Sequence, residues 1–189
     1  MDDDEVEVVA IESDSLTYGE YEEYKKAFGG IIIRATKGMV ESLRRIKDQE
    51  EIENLSQAEK IGDMAFTHII GYIKENYKKG ITENEIALEL EVAMRKNGAQ
   101  GTSFSSIVAT GAKSSLPHAT PGDVTLQDGD FVVMDYGCIY NGYCSDMTRM
   151  VFLGEPSERL RKAYETMRRA NESVMALLKP GVTGAEAHQ

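Results

Sequence analysis

Two kinds of pattern alternate along this sequence, and together they predict a mixed α/β (α+β) fold. Apolar residues recur every three or four positions over 47–79, which is typical of a helix with one buried face. This stripe consists of Ile52, Leu55, Ile61, Ala65, Ile69 and Ile73. The segments 103–110 and 131–136 are instead rich in β-branched, aromatic and other apolar residues, as buried strands are. We therefore expect long amphipathic helices that cover a sheet.

The first 45 residues predict a small strand–helix–strand unit. Strands are expected over 7–11 and 31–33, and a helix over 19–28 begins after Thr17 as its N-cap. Gly29-Gly30 ends that helix, because glycine readily adopts the left-handed backbone found after helix ends. A segment of this size is too small to enclose a core of its own.

Four further helices are predicted downstream, the last a short one that opens at the capping box of Thr183 and Glu186. The first covers 47–79 and ends at Gly80. Thr82 and Glu85 have the spacing of a capping box, which opens a second helix that runs through Arg95. A third helix follows Pro156-Ser157, and its apolar stripe consists of Leu160, Tyr164, Met167, Val174 and Leu178.

A hairpin is predicted at Asn141-Gly142, because both residues tolerate the positive φ of a two-residue type I′ turn. Such a turn pairs Tyr140 with Tyr143, and the same register places Asp135 opposite Thr148. The two strands of the hairpin should therefore run antiparallel on either side of the turn.

The same register brings two acidic residues together. Gly137 is expected opposite Asp146, where its missing side chain leaves room for a ligand. Side chains alternate along a strand, so Asp135 and Asp146 should share one face, with about 7–8 Å between their backbones.

Two carboxylates that converge without a cation repel each other, and a divalent metal ion removes that repulsion. Oxygen ligands suit Mn or Mg, and added imidazole also admits Co, Fe or Zn. The alternative is two ordinary acids on an exposed strand. The apolar run 131–134 before Asp135 favours the metal site, because an acid at the end of a buried strand needs a partner.

His118 lies in the loop Leu116-Pro117-His118, before the strand that carries Asp135. An imidazole in such a loop can move a proton or contact a substrate, although a lone loop histidine commonly has no role. The two cysteines, Cys138 and Cys144, fall on opposite faces of the hairpin and are expected to be free thiols.

The charge balance excludes several functions. The 189 residues contain 21 Lys and Arg against 32 Asp and Glu, a net charge of −11, which argues against binding to nucleic acid or to an anionic membrane. The start over 1–5 is acidic, the reverse of a secretory signal, and two cysteines do not form a disulfide framework. We therefore expect a cytoplasmic protein.

Five short motifs carry a resemblance to a known family. The motifs are SFSSIVATG (103–111), LPH (116–118), DGD (128–130), DYG (135–137) and GYCSDMTR (142–149). In this order and spacing they resemble the bacterial Xaa-Pro peptidases, prolidase and aminopeptidase P, of the pita-bread metallopeptidase superfamily. The resemblance covers nearly the whole chain from about Ile11 onward.

This resemblance implies a fold and a set of site residues. It implies a pita-bread fold truncated to its N-terminal half, with 1–45 as the end of a creatinase-like N-terminal domain and 46–189 as the first half of the catalytic domain. Asp135 and Asp146 match the two metal-ligand aspartates of a dinuclear centre, and His118 matches the histidine on the substrate side. Thr148 is then a candidate contact of Asp135 behind the metal.

The resemblance also implies an activity, hydrolysis of the Xaa-Pro bond at the N-terminus of peptides or in dipeptides. The complete enzyme would carry two divalent ions, Mn or Co, bind a proline-containing peptide and form a homodimer. Three metal ligands of the family are expected beyond Gln189, so the 189-residue chain by itself should bind metal weakly or not at all and be inactive. The alternatives are a non-catalytic homologue that binds peptides or proteins, and methionine aminopeptidase. The retained carboxylate pair argues against a binding-only relative, and the remnant of an upstream domain argues against methionine aminopeptidase.

Overall fold

The computed structural model describes residues 6–189, and these form one unit that ends at Ile52 and a second that begins at Glu53. The described part of the first unit has two strands, which pair in parallel, and two helices. Their bounds are β1 (Val8–Glu12), α1 (Tyr18–Ala27), β2 (Ile32–Thr36) and α2 (Met39–Arg44).

The predicted strand–helix–strand order of the first unit is confirmed. Thr17 caps α1 by accepting a hydrogen bond from the Glu20 N–H, and the Glu20 carboxylate completes a capping box. This contact lowers the pKa of Glu20, because Thr17 donates hydrogen bonds to its charged form. The six-residue helix α2 was not predicted, and no side chain caps its start at Gly38.

The remaining described residues contain four helices, at the predicted places. They are α3 (Gln49–Asn76), α4 (Glu83–Lys96), α5 (Glu158–Leu177) and α6 (Gly184–His188). A short 3-10 turn extends α3 to Gly80, which ends it with a φ of 83°. Thr82 caps α4 through the Glu85 N–H, as its capping box predicts.

Six short strands form two three-stranded antiparallel sheets in the second unit, in the orders β3-β6-β7 and β4-β5-β8. Their bounds are β3 (Gly101–Thr102), β4 (Ile107–Thr110), β5 (Phe131–Tyr136), β6 (Cys138–Tyr140), β7 (Tyr143–Cys144) and β8 (Met147–Phe152). The prediction of one strand over 103–110 is therefore wrong in its first half. There, Ser103 donates from its N–H to the Gly137 carbonyl and from its hydroxyl to the Ser145 carbonyl, outside the β4 ladder.

The core of the second unit lies between α3, α4 and the strands. The buried face of α3 consists of Ala58, Ile61, Gly62, Ala65, Ile69 and Ile73. This confirms the predicted stripe from Ile61 onward, whereas Ile52, also expected in it, is exposed. At Gly62 the helix approaches β8 closely, because an added Cβ would lie 2.7 Å from the Met147 Cε.

Helix α5 differs from α3, since none of its residues is buried within the described chain. Its main aromatic contact is Tyr164, whose ring lies 5.2 Å from that of Phe152 and 6.4 Å from that of Phe131. Met167, Met175 and Leu178 of the predicted helix and its C-cap are exposed. Periodicity thus locates this helix correctly but does not say what covers it.

No helix among residues 6–189 combines the length and the apolar character needed to cross a membrane. The acidic residues 1–5, which contribute to the expectation of a cytoplasmic protein, lie outside the described residues.

Candidate metal centre

The predicted hairpin register is confirmed on both sides of its turn. Asn141 and Gly142 have φ values of 47° and 82°, as a type I′ turn requires. Tyr140 pairs with Tyr143 next to the turn. Further along, in the sheet of β5 and β8, Asp135 pairs with Thr148.

The interpretation of Gly137 as leaving room for a ligand is wrong. An added Cβ would lie 1.9 Å from the Ser145 carbonyl oxygen and 2.4 Å from the Ser103 hydroxyl oxygen. The Ser103 hydroxyl also donates to that carbonyl at 2.7 Å, so protein atoms already occupy the space. Glycine is required because two backbone segments approach each other here.

This close approach lies where the hairpin passes from one sheet to the other. The ladder of β5 and β8 ends at Tyr136 and Met147, and that of β6 and β7 begins at Ile139 and Cys144. Asp146 lies in the gap, directly before β8, whereas Asp135 lies within β5.

One cavity of about 430 Å³ brings the three principal candidate residues together, since Asp135, Asp146 and His118 all line it. Asp135 is half-buried, and Asp146 and His118 are exposed. Each comes from a different part of the fold: the central strand β5, the gap before β8, and the loop after β4.

The two aspartates have different partners. The Thr148 hydroxyl donates to Asp135 Oδ1 at 3.0 Å, which fixes the orientation of that carboxylate. The Asp146 N–H donates to Glu59 Oε1 at 3.4 Å, but no described residue donates a hydrogen bond to its carboxylate. Within residues 6–189, no lysine or arginine forms an ion pair with either aspartate.

Such a pair fits a divalent metal ion in kind, because carboxylate oxygens are the ligands that hard divalent ions prefer. The number of ligands, however, is too small for a complete site. The part of the chain that the structure describes contains no group of three or more His, Cys, Asp or Glu side chains arranged to hold a metal. Asp135 and Asp146 therefore offer two ligands of a site rather than a whole one.

Sequence reasoning missed two features around the cavity. Phe104, Ile107 and Pro121 form an apolar part of its wall, which neither the predicted strand over 103–110 nor the family motif in the same run indicates. Glu83, the first residue of α4, is completely buried. No sequence signal marks that burial, because acids are common in the first turn of exposed helices as well.

The two cysteines are free, as predicted, and differ in environment. Cys138 is buried, and its thiol donates to the Ala58 carbonyl at 3.4 Å. Burial raises the pKa of the Cys138 thiol. Cys144 is exposed.

Comparison with known proteins finds relatives that match nearly the whole chain. The peptidase YqhT of Bacillus subtilis is 43% identical over 179 residues, which cover 95% of this chain and 50% of that protein. The Xaa-Pro dipeptidase of Pyrococcus furiosus is 36% identical over 180 residues, again 95% of this chain and 50% of that protein. The chain thus spans about half the length of the curated relatives it matches.

Solved structures match this chain in the same way, over about half of their own length. The Xaa-Pro dipeptidase from Bacillus anthracis superposes with a TM-score of 0.88 at 42% identity, over 94% of this chain and 49% of that one. The fold is accordingly about half of the pita-bread fold of such peptidases. Residues 53–189, which carry the cavity and its aspartates, match metallopeptidase family M24. The chain belongs to metallopeptidase family M24.

Proposed function

We propose that this chain contributes the first half of the catalytic site of an Xaa-Pro peptidase, which hydrolyses the bond before proline at the N-terminus of a peptide or in a dipeptide. The observation that carries the proposal is the shared cavity of Asp135, Asp146 and His118. The names of the relatives support the substrate class, because the proteins from Pyrococcus furiosus and Bacillus anthracis are both called Xaa-Pro dipeptidases.

In this proposal Asp135 and Asp146 would hold divalent ions, Mn or Co, in the dinuclear centre of the complete site. Ions bound there would supply a hydroxide nucleophile and polarise the scissile carbonyl. The Thr148 hydroxyl keeps the Asp135 carboxylate oriented through its hydrogen bond, as polar groups behind metal ligands commonly do.

His118 acts on the substrate side of the cavity. Its exposed imidazole accepts or donates a proton at a ring nitrogen as charge develops on the peptide bond. The apolar wall of Phe104, Ile107 and Pro121 offers a surface that excludes water from a bound peptide.

The wider assignments are part of the same proposal. We infer a cytoplasmic homodimer whose residues 1–45 end an N-terminal domain and whose residues 46–189 begin the catalytic domain. The 189-residue chain alone should bind metal weakly, because two carboxylates are fewer ligands than a tight divalent site uses.

The test is a peptidase assay on the chain and on an extended form that spans the length of the curated relatives. The extended form should hydrolyse Xaa-Pro substrates with Mn or Co, and a chelator should stop it. Asp146→Asn should abolish turnover, whereas Asp128→Asn, an exposed aspartate outside the cavity, should leave it unchanged.

Two results would contradict the proposal. Hydrolysis of Met-initiated peptides without any cleavage of Xaa-Pro bonds would instead assign a methionine aminopeptidase. Full activity of Asp146→Asn would show that the carboxylate pair is not the metal site.

A further inference from the structure

Glu83 is a fully buried carboxylate at the start of α4, with none of its surface exposed. Burial of an ionised carboxylate is costly unless hydrogen bonds and an opposite charge satisfy it. Helix capping does not explain its position, because Thr82 and Glu85 already form the capping box of this helix. The reason for its burial therefore lies in what its carboxylate contacts.

The contacts of Glu83 all come from one loop. Its Oε1 accepts a hydrogen bond from the Thr110 N–H at 2.9 Å, at the end of β4. Its Oε2 accepts from the Gly122 N–H at 3.0 Å and from the Lys113 ammonium at 2.5 Å. A single carboxylate thus binds both ends of the segment 110–122 and a side chain between them.

The neighbouring backbone reinforces this contact. The Glu83 N–H donates to the Val124 carbonyl and the Asn84 N–H to the Gly122 carbonyl, both at 3.1 Å. Gly122 also lies beside the Lys113 side chain, since an added Cβ would be in ordinary van der Waals contact with its Nζ, at 3.4 Å. The returning end of the loop is therefore fastened to the first turn of α4.

The same loop carries one wall of the candidate metal cavity. His118, Ala119, Thr120 and Pro121 line the cavity and directly precede Gly122. The His118 side chain is exposed and makes no hydrogen bond with any described residue. Its place at the cavity is consequently set by the loop backbone rather than by contacts of its own ring.

We propose that Glu83 is a positioning residue, whose buried carboxylate holds the loop 111–121 so that His118 lies at the cavity with Asp135 and Asp146. The effect on catalysis rests on the proposed function. The effect of Glu83 on the loop does not rest on that function, and it is measurable in the 189-residue chain.

The first experiment is hydrogen exchange measured by mass spectrometry on the 189-residue chain. Glu83→Gln keeps the size of the side chain but removes its charge, and one amide oxygen cannot satisfy all three donors. Exchange in peptides that cover 111–122 should become roughly tenfold faster or more, the size expected for losing charge-assisted hydrogen bonds. Peptides from α3 should keep their protection.

Glu85→Gln is the matched control, because Glu85 belongs to the same helix turn but contacts Thr82 instead of the loop. It should leave exchange over 111–122 unchanged. Equal acceleration in Glu83→Gln and Glu85→Gln would overturn the proposal, since the loop would then only report weakening of α4.

Lys113→Met tests the same contact from the loop side and serves if Glu83→Gln does not fold. The Lys113 side chain is 27% exposed, and methionine keeps an unbranched chain there without the charge. Faster exchange over 111–122 is expected, because Glu83 then lacks its counter-ion. Unchanged exchange in this variant would overturn the proposal.

The second experiment measures coupling to His118 in the extended form. Glu83→Gln should lower kcat/KM about tenfold or more, yet add less than about threefold when placed in His118→Ala, because residues that act as a unit are not additive. A full additional loss in the double variant would overturn the link to His118. An extended form without any Xaa-Pro hydrolysis would refute the proposed function, and the exchange experiment would then decide the role of Glu83 alone.

Discussion

The second unit contains two contrasting sets of carboxylates. Glu83 is completely buried, and two backbone N–H groups and an ammonium group satisfy it. Asp135 and Asp146 lie at an open cavity, and within the described residues they receive a single side-chain hydrogen bond, from Thr148.

The contrast distinguishes a carboxylate that holds the structure together, Glu83, from carboxylates that are available to bind a ligand, Asp135 and Asp146. A fully buried acid whose two oxygens both accept hydrogen bonds from the protein is not available to a ligand. Two acids at one open cavity without a cation are electrostatically unsatisfied until a cation binds. His118 connects the two sets, since its loop is held by Glu83 and lines the cavity of Asp135 and Asp146.

After the loss of turnover expected for Asp146→Asn, the largest effect should come from His118→Ala in the extended form. We expect kcat to fall by about 10²–10⁴-fold, the range for losing a proton-transfer group, with metal content unchanged. The melting temperature should stay the same, because the His118 ring is exposed and has no hydrogen bond in the described structure.

The control is His68→Ala, which removes an exposed imidazole paired with Glu89 outside the cavity. It should leave kcat unchanged. Equal losses of activity in both variants would show that His118 has no special place in the reaction.

The next effect concerns stability in the 189-residue chain. Glu83→Ala should lower the free energy of unfolding by about 3 kcal/mol, because it leaves an ammonium and two N–H groups without their acceptor. Asp146→Ala should change it by less than about 0.5 kcal/mol, since it removes an exposed acid. Urea unfolding of both variants measures the difference, and similar values for the two would remove the distinction between the two sets.

The smallest effect is a difference between the two cysteines. In the folded chain a thiol reagent should label Cys144 quickly and Cys138 slowly, because Cys138 is buried and its thiol pKa is raised. Because the pKa of the Cys138 thiol is higher in the folded chain than in the unfolded chain, this thiol loses its proton first in the unfolded chain as the pH rises. The contribution of Cys138 to stability is therefore complete at neutral pH and falls from about pH 8.5 upward.

Cys138→Ser should abolish the slow labelling phase, and Cys144→Ser the fast one. Equal labelling rates for both thiols in the folded protein would contradict the burial of Cys138.

Local chemistry made much of the fold predictable from the sequence. The capping boxes at Thr17, Thr82 and Thr183 each begin a helix, because their hydrogen bonds form within four consecutive residues. The turn at Asn141-Gly142 fixed the register that places Asp135 opposite Thr148, because a two-residue loop allows one pairing.

Features that depend on distant contacts were not predictable. Ser103 leaves the expected strand because its partners, Gly137 and Ser145, are more than thirty positions away. Glu83 is buried by a loop that returns at Gly122, and nothing in the local pattern of α4 reveals this. The apolar stripe of α5 likewise carries no information about a partner.

The close approach at Gly137 has a consequence for substitution tolerance. A Cβ 1.9 Å from a carbonyl oxygen excludes alanine as firmly as tryptophan, so a saturation library should retain a single residue type at this position. At Gly142 no atom lies within 4 Å of an added Cβ, and only the φ of 82° is restrictive, so asparagine and aspartate should survive there. Two glycines five positions apart would thus show opposite mutational profiles, one set by space and the other by backbone conformation.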